Sequence, residues 1–435
     1  SVTTHRPLDF DAVIPGSHSQ GEWVEFTHTL GPDPQTLHPV KVYSQDYGTL
    51  WGLGKYAMPS NQGTGLYEMF GDGRDGVMPS SGNLDYNNGV GVGVVNSGSA
   101  GSYYINVTDV HAVWRINPGD VVLIHQTQGT NAGCWELNRA VSDFGGGTAT
   151  YQLEKPLRCN YASGGNNHAQ IQRVPQYTDC PVSGTVTPLS GWNGSWGGIF
   201  AVMCNNTMNV TGSINANGFG FRGGAYVGNH QRGYSGEGSA GPSVQTFYAN
   251  GSGGGGGENA SWGDAHASGG GGGNGTAGTD ARQTHGNYGR GGNVVGTPDL
   301  SNIHLGGGGG GSACGWQACN SGSGGNGGGI IIIIARNLTV SGSVLAQGAN
   351  GQNGDLGGWG GPGSGGGGAG GSIKITAANV VISDNRVDAR YGFGGYVWDG
   401  GQASENGRGG TGRIAIAYCE SLSGSTNPPA STQKL

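Results

Sequence analysis

The segment GGIIIIIARNLTVSGSVLAQG, residues 328–348, contains the pattern that decides the fold of this chain. A glycine pair precedes five isoleucines, a short polar break follows, and a second strand leads to an alanine and a glycine. β-branched residues favour strands. Related units return elsewhere: GGIFAVMCNNTMNVTGSINANG (197–218), GGSIKITAANVVISDNRVDARYG (370–392) and a truncated GTGRIAIAYC (410–419).

The spacing within the units identifies a degenerate internal repeat. The step from the second glycine to the shared alanine is 18 residues from Gly198 to Ala216 and 17 from Gly329 to Ala346. A single unit cannot bury its apolar face alone, so we expect the units to stack as coils of a β-solenoid or as strands of one sheet. Glycine-rich inserts of unequal length, at about 219–327, 349–369 and 393–409, separate them.

The inserts contain glycine tracts too pure for an ordinary strand, where glycine loses entropy and packs nothing. These tracts are Gly253–Gly257, Gly269–Gly273, Gly306–Gly311 and Gly365–Gly368. The polyglycine relative of polyproline II has three residues per turn and no internal hydrogen bonds, so its N–H and C=O groups point to neighbours. We predict a bundle of antiparallel glycine rods, with larger residues at the turns: Tyr248, Trp262, His285, Tyr288 and Trp316.

The predicted fold class is therefore all-β: a small β-barrel or sandwich domain, followed by a short β-solenoid or sheet carrying a polyglycine-II-type rod bundle. Helical periodicity is nearly absent, and short β-branched runs alternate with turn residues. We expect four regions: an irregular segment or arm (1–70), a small β-domain (71–185), the glycine-rich region (186–419) and a flexible tail (420–435). Within residues 1–70, WVEFTHTL and HPVKVYSQ have the composition of strands.

Composition limits the function classes. Glycine supplies 97 of 435 residues, and the net charge is −7 with 20 basic and 27 acidic residues. No basic patch indicates nucleic acid, and no apolar run is long enough for membrane insertion. The chain begins at Ser1, so we expect a mature secreted chain whose signal peptide has been removed. A disordered linker is the alternative for the glycines, but charged residues are only 11% and apolar runs interrupt the tracts.

Seven cysteines favour an oxidising compartment. We predict two disulfides: Cys314–Cys319, which closes a short loop, and Cys134–Cys159, whose members flank a predicted hairpin with the turn DFGGG. Buried free thiols are the alternative. Cys180, Cys204 and Cys419 remain, of which two can pair.

The chain also has N-x-S/T sequons, which are typical of a secreted glycoprotein although several would arise by chance in so Asn-rich a sequence. The candidate glycosylation sites are Asn106, Asn193, Asn205, Asn209, Asn250, Asn259, Asn274 and Asn337.

The repeat with its glycine inserts, closing in GxGRIAIAY, resembles glycine-rich secreted and surface proteins of microbes. GDGRDG (71–76), INPGDVVLIHQTQG (116–129) and RVPQY (173–177) are part of the resemblance, which covers about residues 71–419. It implies an extracellular location and an architecture more than an activity. The glycine-rod idea is also similar to the tip adhesins of some phage tail fibres, in composition and rod geometry alone.

No enzymatic motif stands out. The chain has no P-loop, no G-x-S-x-G elbow and no zinc-ligand spacing, so we expect neither catalytic residues nor a cofactor. Asp72 and Asp75 in GDGRDG suit a calcium site or a plain turn. A polysaccharide-cleaving solenoid would need facing carboxylates, for which Asp384, Asp388 and Asp399 are the candidates.

The sequence therefore predicts an extracellular structural protein, the subunit of a surface filament or layer that self-associates head to tail. The N-terminal arm, about residues 1–40, is the segment expected to reach the next subunit. The alternative is an adhesin that binds glycans through aromatic residues on glycine-rich turns. In a further alternative, the same aromatic side chains bind no ligand and only pack over the glycine rods.

Overall fold

The computed structural model describes the strands Trp23–Thr29 and Leu37–Tyr43 and then residues 69–110, 116–142, 147–228, 231–258, 267–281, 288–313, 321–354, 363–399, 402–405 and 407–435. The molecule is all-β, as predicted, with parallel and antiparallel sheets and one short 3-10 helix, Tyr86–Asn88, among the named elements of these residues. No helix in the described part of the chain has the length and apolar character to cross a bilayer.

In chain order the strands are β1 (Trp23–Thr29), β2 (Leu37–Tyr43), β3 (Gly82–Asn83), β4 (Val92–Gly98), β5 (Tyr104–Asp109), β6 (Val121–Gln128), β7 (Trp135–Arg139), β8 (Thr148–Gln152), β9 (Tyr161–Ala162), β10 (His168–Arg173), β11 (Gln176–Tyr177), β12 (Cys180–Val182), β13 (Thr185–Thr187), β14 (Ile199–Val210), β15 (Ser213–Asn215), β16 (Ile330–Val340), β17 (Ser343–Leu345), β18 (Ser372–Ile382), β19 (Val387–Asp388), β20 (Tyr396–Asp399), β21 (Gln402–Glu405), β22 (Arg413–Ser423), β23 (Thr426–Asn427) and β24 (Ser431–Lys434).

An antiparallel sheet occupies residues 92–173. Its strand order is β7-β6-β10-β4-β5-β8, and β9 pairs with β4. One face carries a core of fully buried apolar side chains that includes Val95, Ile124 and Ile171. The sheet is not closed into a barrel, although a single bridge between Ala140 and Leu153 connects the chain beyond β7 to the chain beyond β8.

Two parallel sheets are built from the repeat. Each unit supplies a long strand to a sheet of order β11-β14-β16-β18-β22-β24, with β12 also on β14, and a short strand to a sheet of order β23-β19-β17-β15-β13-β3. The units align in register, since Ile199 pairs with Ile330 and Ile330 with Ser372. The inner faces share one core, and the shared alanines Ala216 and Ala346 are fully buried in it. We call this pair of sheets the parallel stack.

The isoleucine run explains how the parallel stack joins the antiparallel sheet. Because side chains alternate along a strand, Ile331 and Ile333 enter the core between the two parallel sheets. Ile332 and its neighbours two residues away point to the other face and pack against Leu123 and Trp135 of the antiparallel sheet. A strand buried on both faces needs a continuous apolar run, which is what Ile330–Ile334 provides.

Residues 420–435 are ordered and mostly extended, whereas the sequence predicts a flexible tail there. Strand β22 continues to Ser423, β23 pairs with β19, and β24 pairs with β22 from Ser431 to Lys434. The polar sequence STQK carries no strand signal of its own. It is ordered because β22 offers it a ready row of main-chain donors and acceptors.

The N-terminal region is described only as the antiparallel hairpin β1–β2, with Trp23 opposite Tyr43. Both strands were predicted. Among the described residues this hairpin pairs with no further strand. The remainder of the expected arm lies outside the described residues.

The glycine-rich inserts extend from the parallel stack. Residues 321–329, 363–371 and 407–412 lead directly into β16, β18 and β22, and they contain no strand of their own. The tracts Gly253–Gly257 and Gly306–Gly311 are buried throughout. The described parts of the inserts therefore form an ordered body attached to one end of the long strands.

Candidate functional site

The glycine-rich body is held by main-chain hydrogen bonds between segments. The N–H groups of residues 306–311 donate to carbonyl oxygens of three neighbouring segments, at N···O distances of 2.8–3.1 Å. Residues 306–308 bond to the three segments one after another, and residues 309–311 bond to the same three segments in the same order. The acceptors are, in order, the carbonyl oxygens of Gly328, Gly273, Glu237, Gly325, Gly270 and Tyr234. The donors to the carbonyls of residues 306–311 are, in order, the N–H groups of Phe221, Ala369, Gly254, Gly224, Gly366 and Gly257.

Every main-chain donor and acceptor of residues 306–311 is thus satisfied by one of six surrounding segments. The segments that accept its hydrogen bonds run antiparallel to it, whereas those of residues 221–224 and 254–257 run in the same direction. This corrects the expectation of antiparallel neighbours alone. When three segments all touch one another, at least two of them must run the same way.

The close approach of these segments leaves no room for side chains. A Cβ atom built on any glycine from 306 to 311 would lie less than 3.0 Å from a main-chain oxygen of a neighbouring segment. The Cα–H groups therefore face carbonyl oxygens, a contact that adds a weak attraction. Glycine is required here for space, which explains the purity of the tracts.

The two ends of the parallel stack are a second feature of interest. At one end, residues 75–78 and β3 cover β11 and β13, through bonds such as Asp75 N–H to the Gln176 carbonyl at 3.0 Å. At the other end, β23 and β24 are the last strands of the two sheets. Three of the four residues of β24 are exposed. Among the described residues the stack therefore finishes in β23 and β24 at one end, and in the turn at 75–78 and the two-residue strand β3 at the other.

Three half-buried aromatic rings on the glycine-rich body each pair with an arginine. The guanidinium of Arg290 lies 4.5 Å from the ring centre of Tyr288, and that of Arg408 lies 4.9 Å from the ring centre of Tyr391. A third pair, Arg232 with Phe247, has a distance of 5.6 Å. We call these three ring–guanidinium pairs the aromatic–arginine band.

The aromatics predicted at turns are only partly described. Tyr248 is 64% exposed and stacks on Phe247, with ring centres 4.1 Å apart. Tyr288 is half-buried. Trp262, His285 and Trp316 lie outside the described residues. The sequence analysis missed the arginines, although the stretch Tyr288-Gly289-Arg290 places a ring and a guanidinium two residues apart.

The cysteines divide into bonded and free. Cys134 and Cys159 form a disulfide beside the antiparallel sheet, as predicted from the sequence. Their arms are not one simple hairpin, since β7 and β8 lie at opposite ends of the strand order. Cys180 and Cys204 are buried free thiols and Cys419 is half-buried and free. Burial raises the pKa of the Cys180 thiol well above its ordinary value. Cys314–Cys319 lies outside the described residues.

The sequons differ in access. Asn193 and Asn209 are exposed, and Asn106, Asn205 and Asn337 are half-buried. Asn274 is fully buried and its amide donates to the Gly370 carbonyl at 2.8 Å, so it could not carry a glycan in this fold.

Two further sequons complete the set. The Asn250 amide is occupied by three main-chain carbonyls, of which the Pro242 oxygen is the closest at 2.7 Å. Asn259 lies outside the described residues.

The candidate carboxylates are held by neighbouring cations. Asp72 accepts from Nε of Arg74 at 2.8 Å, and Asp75 accepts from Arg173 at 2.8 Å, which fixes the GDGRDG turn. The hydrogen bond from Arg74 lowers the pKa of Asp72 although burial opposes it. In the described part of the chain no group of three His, Cys, Asp or Glu residues could hold a metal ion.

The carboxylates considered for glycoside cleavage are placed differently from one another. Asp388 is buried and accepts from Nε of Arg390 at 2.7 Å. Asp384 is exposed, at 3.5 Å from the hydroxyl of Ser425. Asp399 belongs to β20, whose side chains beyond Tyr396 lie outside the described atoms.

Ionisable groups are buried where the antiparallel sheet meets residues 299–305. His125 donates from Nε2 to the Ile303 carbonyl at 3.0 Å, and burial lowers its pKa to about 4. Burial and the neighbouring His125 lower the pKa of His304 to about 3. Burial lowers the pKa of Lys374 to about 8, and its ammonium donates to the Asp299 carbonyl at 2.7 Å.

The described residues thus provide strand edges at the ends of the parallel stack, a glycine-rich body held by main-chain hydrogen bonds, and aromatic rings that are exposed or half-buried. Comparisons with protein-family models, with curated proteins and with solved structures found no match to this chain.

Proposed function

We propose that this chain is an extracellular structural protein, a subunit that self-associates head to tail into a surface filament or layer. The parallel stack would act as a short β-solenoid, and the glycine-rich inserts as a polyglycine-II bundle that stiffens each subunit. The observation that carries the proposal is that β24 ends the sheet of long strands and has no further strand on its outer edge in the described part of the chain.

The polyglycine-II interpretation is supported by the return of each hydrogen-bond partner after three residues, which matches three residues per turn. A single such segment could not persist, because ordering glycine costs about 1–2 kcal/mol per residue. Six neighbours satisfy the whole main chain of residues 306–311 and offset this cost. Slow amide exchange at 306–311, comparable with that of Ile330–Ile334, is expected. Rapid exchange there would contradict the interpretation.

The stack ends support head-to-tail addition. Each long strand pairs with the next in the same parallel register, so a subunit placed beyond β24 would continue an existing pattern. Unpaired strand edges are templates for further strands, and a contact that repeats without closing gives an open fibre. The single disulfide in the antiparallel sheet suits an oxidising, extracellular location.

Negative-stain electron microscopy of the purified protein tests the proposal, and Thr432 offers a specific variant. Because the Leu435 N–H donates inward to the Tyr418 carbonyl, alternation along β24 directs the Thr432 N–H outward. Thr432→Pro removes that outward donor, while Thr432→Ala keeps it as the matched control. We expect filaments from the unmodified chain and from Thr432→Ala, and isolated particles from Thr432→Pro.

Two results would overturn the proposal. Isolated particles from the unmodified chain, at concentrations where the protein remains folded by circular dichroism, would exclude self-assembly through the stack. Unchanged filaments from Thr432→Pro would exclude β24 as the growing edge.

A further inference from the structure

We propose that the aromatic–arginine band is a binding surface for a neutral polysaccharide, a property beyond the proposed self-assembly. The band consists of Phe247 with Arg232, Tyr288 with Arg290, and Tyr391 with Arg408.

The three pairs lie on segments that follow one another across the glycine-rich body. The Arg290 N–H donates to the Phe247 carbonyl at 2.9 Å, so the first two segments are adjacent. The Gly291 N–H donates to the Asp280 carboxylate at 2.8 Å, and the Thr279 N–H donates to the Arg408 carbonyl at 2.8 Å. The three pairs are therefore carried by hydrogen-bonded segments of the glycine-rich body, with residues 279–280 between the segments of Arg290 and Arg408.

Each ring is held in place while part of it stays accessible. Arg290 donates to the Tyr288 hydroxyl at 2.9 Å, and Arg408 donates to the Tyr391 hydroxyl at 3.3 Å. Tyr248 also packs on Phe247, so the half-buried Tyr288 and Tyr391 are the rings of the band that offer surface to a ligand. Rings that are fixed before binding lose little conformational entropy when a ligand arrives.

The chemistry of the band matches sugar rings. A pyranose presents C–H groups on its faces and hydroxyls around its rim, so it needs an apolar plane beside polar donors and acceptors. Arg290 and the Asp280 carboxylate, 2.8 Å apart, supply donors and acceptors next to the Tyr288 ring. Phe393 adds a second ring beside Tyr391, with centres 5.5 Å apart, and is 46% exposed.

Charge favours a neutral chain over an acidic one. Arg290 is paired with Asp280, and Arg232 is paired with Glu258. These carboxylates cancel most of the positive field near the rings. The net charge of −7 would repel a polyanion approaching from solution.

Native gel electrophoresis with soluble polysaccharide cast into the gel tests the inference. The probes are hydroxyethylcellulose, a galactomannan and a β-1,3-glucan, with alginate as the acidic comparison. We expect at least one neutral probe to retard the protein and alginate to have no effect. Tyr391→Ala and Tyr288→Ala should each weaken the retardation at least tenfold in apparent Kd, with circular dichroism unchanged. Tyr104→Ala is the matched control, since Tyr104 is 55% exposed on the antiparallel sheet, away from the band.

Tyr391→Phe refines the test, because it keeps the ring and removes only the hydroxyl that Arg408 contacts. It should bind more tightly than Tyr391→Ala. The inference is overturned if no neutral probe retards the protein, if alginate alone does, or if the band variants bind as the unmodified chain does. Filament formation is read separately by microscopy, so the failure of one proposal leaves the other standing.

Discussion

The parallel stack and the glycine-rich body obtain their cohesion in opposite ways. In the parallel stack, Ile331 and Ile333 contribute side chains to a dry core, and burial of apolar surface is the main driving force. In the glycine-rich body, residues 306–311 have no side chains, and hydrogen bonds to six segments hold them. The first region fills space with side chains, whereas the second excludes them. The addition of a single methyl group should therefore be felt very differently in the two regions.

The largest expected effect is that of Gly309→Ala. The new Cβ would lie less than 3.0 Å from the main-chain oxygen of Gly366, and neither segment can move without losing bonds to its other neighbours. We expect destabilisation of more than about 4 kcal/mol in chemical denaturation, or failure to accumulate as folded protein.

Gly191→Ala is the control for that change. The nearest atoms to a Cβ at Gly191 are 3.7 Å away, which is ordinary contact. Its effect should stay within about 0.5 kcal/mol. Equal effects of the two variants would show that the space around the new Cβ atom does not decide the cost.

Lowering the pH should destabilise the region where the antiparallel sheet packs on residues 299–305. The pKa values of His125 and His304, about 4 and about 3, lie below the ordinary value of 6.5. Below pH 6.5 each histidine is therefore protonated in the unfolded state but still neutral in the folded state. The folded state loses stability as the pH falls from 6.5 to about 4 for His125 and to about 3 for His304. We expect about 2 kcal/mol of loss per histidine between pH 7.5 and 4.5, measured by urea denaturation.

His125→Gln separates this contribution from that of the carboxylates. The amide can still donate to the Ile303 carbonyl but does not titrate, so the loss of stability between pH 7.5 and 4.5 should shrink by about 2 kcal/mol. An unchanged slope would show that His125 is not responsible.

Removal of the disulfide should weaken the antiparallel sheet. Cys134 and Cys159 are separated by 25 residues, and release of a loop of that size costs about 3 kcal/mol. The double change Cys134→Ser with Cys159→Ser should lower the free energy of unfolding by that amount and leave exchange at 306–311 unaltered. Cys419→Ser, at a half-buried free thiol, is the control and should have little effect. A large loss of protection at 306–311 would contradict the separate cohesion of the two regions.

The smallest effect is expected for Ile333→Val, which removes one methylene from the fully buried core of the parallel stack. Such changes cost about 1 kcal/mol. Thermal denaturation should show a small, cooperative shift. A loss as large as that of Gly309→Ala would mean that the core is no more tolerant than the glycine contacts.

The sequence predicts the side-chain part of this molecule better than the main-chain part. The repeat units from Gly198 to Ala216 and from Gly329 to Ala346 form parallel strands in register, because apolar periodicity and spacing are properties of the side chains. Which glycine segments touch residues 306–311 could not be read in advance, because glycine carries no pattern that distinguishes one neighbour from another. The same limit concealed β24, which is ordered by a neighbouring edge and not by its own composition.

The candidate surfaces were harder to predict from the sequence than the fold. Tyr248 and Tyr288 were singled out as large residues among glycines. Their relation to Phe247 and Arg290 depends on segments that meet only in three dimensions. The Cys134–Cys159 disulfide was predicted from an expected hairpin, and the bond is present. Its two flanking strands lie at opposite ends of the sheet order, but the chain segments that follow them meet at the bridge between Ala140 and Leu153.

The return of the same partners after three residues limits how the glycine tracts can change in length. Because each partner segment recurs at every third residue of 306–311, loss of one residue would direct each N–H beyond it at the wrong neighbour. Loss of three residues would restore the same orientation one turn further along. Changes in the length of tracts such as Gly306–Gly311 should therefore be tolerated only in steps of three residues, because the surrounding segments fix where each N–H must point.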